Sequence, residues 1–199
     1  MESPANQRLY VVSMSKFTIL YFCTAGMYLI YWFYQGWKTV EQTTDRRLFP
    51  IGRSLFAVLF VHEFFRFVRD RQKQRGDEYP WQPNKLAWFF IGANFIYVMV
   101  YLTADAAQPH WFLSLLTFIM VQVVQFYVFY KVQLIINRIE GDPFGQENRK
   151  LTLQNQMWMI FGAMFWVNVL QTTYLQATGK WPQRVPIEAP AEPKPGQPL

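Results

Sequence analysis

The sequence has one cysteine and two histidines, and only 16% of its 199 residues are charged. A lone cysteine, Cys23, leaves no disulfide framework and no cysteine-based metal cluster. No glycine-rich phosphate loop, Gly-x-Ser-x-Gly elbow or cysteine pair occurs anywhere in the chain. No cofactor or metal is therefore expected, and a non-enzymatic protein is favoured. Three long stretches, 86–104, 111–130 and 157–173, contain no Asp, Glu, Lys or Arg at all. Ion-coupled transporters usually set carboxylates or broken helices at mid-membrane, so uncharged, unbroken runs are read as counting against coupled transport.

Apolar and aromatic residues fill the space that charge leaves, at 52% and 19% of the chain. The mean hydropathy is near zero only because apolar blocks alternate with strongly polar loops. Phe17 to Tyr34 is uncharged and bracketed by Lys16 and Lys38. At helical rise it is about 27 Å long, enough to cross a bilayer core. It lacks a small-x-small cleavage site and is read as a retained span rather than a signal sequence. The aromatic-rich end of this run (Tyr28, Tyr31, Trp32, Tyr34, Trp37) is expected at a headgroup interface.

The expected architecture is an all-α integral membrane protein with five helices, at about 17–38, 51–75, 86–104, 111–140 and 157–178. A polar segment, 1–16, precedes them, and a proline-rich tail, 179–199, follows and is expected to be disordered or extended. The segment 51–75 is amphipathic. Its polar stripe holds His62, Glu63, Arg66, Arg69 and Asp70, and it either lies in the interface or spans with the stripe turned inward.

Two hairpins after a separate first span share a pattern. Gly76-Asp77 recurs as Gly141-Asp142 at an offset of 65, and FFIGANF at 89–95 resembles MIFGAMF at 159–165. The net charge is +6, and its position beside apolar blocks suits anionic lipid better than nucleic acid. With five spans, twelve basic residues fall on one side and seven on the other; with four, the division is fourteen to five. Either way the loops 76–85 and 141–150 are expected in the cytoplasm and the tail in the periplasm.

The first span also carries a resemblance. Thr24-x-Gly26-x-Tyr28-x-x-Tyr31-Trp32-Phe33-Tyr34, followed by Trp37-Lys38, resembles a segment of uncharacterised multi-pass bacterial membrane proteins with a domain of unknown function. The firm likeness covers about a tenth of the chain. It implies a bacterial inner-membrane location and an all-helical build, and brings no catalytic residues.

Candidate binding residues form two groups. His62-Glu63-x-x-Arg66 is the sharper: a zinc-protease helix would need a second histidine where Arg66 stands, so the bland reading is a self-paired stripe, Glu63 with Arg66 and Arg66 with Asp70. The second is a polar stripe, Gln122, Gln125, Gln133 and Asn137, within about 120° on one helix, which Asn94 and Asn168 are placed to face. Such amides either glue helices together or line a path for water or substrate. The basic run Arg66, Arg69, Arg71, Lys73, Arg75 reads as an anionic-lipid contact. These features suggest an accessory, scaffolding or self-associating subunit of a membrane complex. The alternatives are a small channel or transporter with a Gln/Asn-lined path, and an intramembrane enzyme acting on lipid.

Overall fold

The computed structural model describes residues 8–44, 47–103 and 111–180. The proline-rich tail beyond 180 and His110 lie outside the described residues. Within them the protein is all-helical: α1 (Met14–Cys23), α2 (Tyr28–Thr44), α3 (Pro50–Leu55), α4 (Ala57–Gln74), α5 (Pro83–Thr103), α6 (Trp111–Ile139) and α7 (Leu153–Ala177).

The expected single helix over 17–38 is broken. Ala25 and Gly26 take positive φ values of 50° and 83°, and residues 24–27 form a turn between α1 and α2. Thr24 makes the break viable. Its hydroxyl donates to Leu20 O at 2.7 Å and accepts the Tyr28 N–H at 2.9 Å, ending one helix and starting the next. Gly26 is free to occupy the left-handed region, whereas Ala25 held there costs about 1–2 kcal/mol. The expected helix over 51–75 is likewise divided at Phe56, into α3 with Pro50 at its first turn and α4.

The polar N-terminal segment contributes to the core from Leu9 onward. Leu9, Val11, Val12, Ser13 and Lys16 are all buried. Among the described residues no strand lies beside this extended stretch, and side-chain amides satisfy its backbone. Asn137 donates Nδ2 to Val12 O at 2.8 Å and accepts the Val12 N–H at 3.3 Å. Gln133 donates to Tyr10 O, and Asn148 to Val11 O. Ser13 then caps α1.

Three of the five rings at the aromatic end of the first span turn into the protein, and Tyr31 and Tyr34 are half-buried. Tyr28, Trp32 and Trp37 are each 1% exposed. The buried α2 positions Leu29, Trp32, Phe33, Gly36, Trp37 and Val40 recur at spacings of three and four, which puts Trp32, Phe33 and Trp37 on the inward side. There they meet Phe64 and Phe65 of α4, Phe90 of α5 and Phe129 of α6. The Phe129 ring centroid is 5.0–5.8 Å from those of Phe90, Phe33, Trp32 and Phe65, mostly edge-on. Gly36 lets Phe64 approach; a Cβ there would stand 2.6 Å from the ring.

Helices α5 and α6 form an antiparallel pair, marked by Asn94 with Gln125 and Tyr97 with Phe118. These two are long and apolar enough to cross a membrane. Most of their apolar surface faces away from the rest of the chain. Helices α4 and α6 end in the same cap at the 65-residue offset. Gly76 and Gly141 have positive φ, and Asp77 and Asp142 N–H return to Gln72 O and Asn137 O. The hairpins then diverge, because Gly162 of α7 abuts the backbone of Cys23 and Thr24 while Gly92 of α5 faces open space.

Candidate functional site at the helix break

The turn at 24–27 opens onto a cavity of about 370 Å³ between α2, α4, α5 and α6. Its walls are apolar, with Ile30, Val58, Phe90 and Phe118 among them, and no lining residue carries a formal charge. Its amides, Asn94, Gln122 and Gln125, come from α5 and α6, with Gln122 and Gln125 beside Gly26, and Ser54 and Tyr97 add hydroxyls to the lining. Asn94 donates Nδ2 to Phe90 O at 2.7 Å and accepts from Gln125 Nε2 at 3.1 Å. Gln122 is different. Its backbone carbonyl accepts the Tyr21 hydroxyl at 2.8 Å, but its buried Nε2 has no partner. A buried donor left unpaired costs about 1–3 kcal/mol, so a turn of this cavity-lining side chain that brings Nε2 to a ligand oxygen would be favoured by removing that cost.

The break is held in place from α7. Trp166 Nε1 donates to Phe22 O at 2.8 Å, answering a carbonyl at the end of α1. Gly162 permits the approach, since any Cβ would run into the Cys23 carbonyl and Thr24. Gly26 is under a similar constraint: a Cβ there would stand 3.2 Å from Gln122 Oε1, on a backbone that disfavours side chains.

The predicted amide stripe on α6 divides in two. Gln122 and Gln125 reach the cavity with Asn94. Gln133 and Asn137 turn to the N-terminal segment, and Gln133 also accepts from Trp32 Nε1. Asn168 does not join either set; it is exposed midway along α7.

The His62–Glu63–Arg66 constellation also rearranges. Glu63 pairs with Arg53 of α3 at 2.7 Å rather than with Arg66, and the Arg53 guanidinium lies 4.4 Å over Trp37. His62 meets Trp88 edge-on at 5.0 Å, and its Nε2 is buried without a partner. Arg53 was silent in the sequence because its partner lies ten residues away, across the kink at Phe56. Among the described residues no three His, Cys, Asp or Glu side chains are grouped to hold a metal ion.

The basic run is only partly outward. Arg71 is buried and, with Arg75, pairs with Glu140 just past α6, whose side chain is fully buried. That corrects the expectation for Arg71 as a lipid contact: a buried carboxylate needs a partner cation, and the turn of α4 supplies it. Arg66, Lys73 and Arg75 keep exposed surface. Nearby, burial pushes the Asp77 carboxyl up, but hydrogen bonds from Gln72 and Tyr79 and the Arg138 guanidinium outweigh it and hold the carboxyl below its usual range.

The chain matches no protein-family model, no curated protein and no solved structure.

Proposed function

We propose that this is a multi-pass protein of the bacterial inner membrane that binds a small neutral amphiphile, without chemistry, in the cavity beside the broken first helix. The observation that carries this reading is the unpartnered, buried Gln122 Nε2 in the lining of an uncharged, mainly apolar cavity. Irregular backbone is tolerated at membrane depth where it is packed in protein or lines a cavity, and residues 24–27 do both. The ligand is one with a carbonyl or hydroxyl oxygen for the amides and a hydrocarbon body for the walls. A charged headgroup has no counter-ion there.

Photolabelling in liposomes tests this, with a diazirine-bearing diacylglycerol as the probe. Label is expected on cavity residues such as Met27 and Val58, falling about fivefold in Gln122→Leu. Uniform labelling of the apolar exterior, or labelling indifferent to Gln122→Leu, defeats the proposal.

A second reading has its own observation. Asn168 presents an amide on the exposed face of α7 and makes no hydrogen bond among the described residues. In a bilayer an outward amide favours a second helix. This supports the accessory or self-associating subunit, and Asn168→Leu should then abolish cross-linking between α7 helices or to a co-purifying subunit. Cross-linking that is the same in Asn168→Leu sinks that reading.

A further inference from the structure

A second cleft lies between α5 and α6 at the end away from the helix break, with a volume of about 240 Å³. Two lysines from different helices reach it, Lys85 from the first turn of α5 and Lys131 from the point where the uncharged part of α6 ends. Neither makes an ion pair among the described residues, although the neighbouring cations Arg71, Arg75 and Arg138 all do. Lys131 Nζ stands 5.9 Å over the Tyr127 ring, and Tyr79 and Trp81 close the polar side. The cleft thus gathers two unneutralised ammonium groups and aromatic rings at one end of the apolar pair.

An apolar groove leads away from these lysines. On α5, Lys85, Phe89, Gly92 and Ile96 fall within an arc of about 60°. On α6, Lys131, Tyr127 and Met120 fall within about 40°. Phe89 and Tyr127 line the cleft itself, so both rows continue from it along the same side of the antiparallel pair. Phe89, Ile96, Tyr127 and Met120 are all exposed, and a Cβ at Gly92 would meet nothing within 4 Å. A strip with charge at its head and open apolar floor matches a lipid standing upright beside the helices.

We propose that the Lys85–Lys131 cleft binds the phosphodiester headgroup of an anionic phospholipid, with an acyl chain in the groove over Gly92. This rests on the membrane reading above, but not on the cavity at the helix break. Basic pockets between spans are suited to such headgroups, and the two lysines supply charge where the phosphate would stand.

The test is native mass spectrometry of the full chain in neutral detergent, titrated with dioleoyl phosphatidylglycerol and, separately, dioleoyl phosphatidylcholine. Phosphatidylglycerol is expected to bind about tenfold more tightly. Lys85→Gln with Lys131→Gln should abolish that preference, Lys131→Arg should retain it, and Gly92→Leu should weaken the dioleoyl lipid more than a dihexanoyl one. Lys38→Gln, which removes an exposed charge on α2 outside the basic run, should change nothing. The proposal is overturned if the preference survives the double change, or if Lys38→Gln reduces it equally. It is also overturned if inorganic phosphate displaces the lipid as well as dihexanoyl phosphatidylglycerol does, which would make this a free-anion site. Release of the chain from membranes by alkaline carbonate would instead overturn the membrane reading itself.

Discussion

Helix α6 carries two pairs of amides that differ in surroundings rather than in chemistry. At one end Gln133 and Asn137 are fully buried, and their groups are spent on Tyr10, Val12, Trp32 and each other. At the other, Gln125 is satisfied by Asn94, while Gln122 keeps a buried donor unpaired beside an open cavity. The same residue type on one helical stripe is a structural clamp where backbone faces it and a vacant donor where a cavity faces it. Hydrogen-bond partners, not residue identity, separate the two roles.

The largest effect that would break this comparison is at the clamp. Asn137→Leu leaves Val12 N–H and C=O buried and unpaired, and should destabilise the protein by about 2–4 kcal/mol in a denaturant melt. An unchanged midpoint would show that Asn137 is no more structural than Gln122. Next comes Gly162→Leu, whose side chain has only the Cys23–Thr24 backbone to occupy. It should cost about 1–3 kcal/mol and, by moving Trp166 off Phe22 O, widen a spin-label distance between α1 and α7. A label distance unmoved by the substitution would detach α7 from the break.

Gln122→Leu should sharpen the contrast by costing no stability. Removing an unpaired buried donor is expected to leave the melt unchanged or raise it by about 1 kcal/mol while diacylglycerol labelling falls. A loss as large as that of Asn137→Leu would make the cavity amide a hidden clamp. The smallest effect is the pH dependence of Asp77. Its folded carboxyl is held below the usual value of 3.8, so the stability it adds is present above that value and lost as pH falls through the lowered one. Asp77→Asn should flatten the stability curve below about pH 4 by under 1 kcal/mol. An identical acid limb in the variant would remove Asp77 from the account.

Much of the helical build was legible. The uncharged stretches beginning at Leu86 and Trp111 lie within α5 and α6, and the amphipathic pattern after Ala57 is α4 with Val61, Phe64, Phe65 and Val68 inward. The break at Thr24–Met27 was legible only in outline, since the small residues Thr24 and Gly26 at mid-run permit either a kink or a close helix approach. An apolar run scores as helix whether or not two of its residues cross to positive φ, and the features that hold the break come from α7 and from one threonine hydroxyl. The burial of Trp32 and Trp37 was missed for a related reason: an amphipathic ring suits a headgroup and a protein core equally well.

Taken alone, the order of residues determined an all-helical build, the polar and apolar sides of the helix after Ala57, and the concentration of polarity on one side of α6. Periodicity suffices for these, because the azimuth of a side chain follows from its number within the helix. Only the tertiary structure decided what stands opposite each azimuth. It set the N-terminal segment against Gln133 and Asn137, the cavity at the helix break beside Gln122, Arg53 against Glu63 and Glu140 against Arg71. Those partners lie up to 125 residues away. No local rule carries that information, and the strength of a buried polar group depends on it.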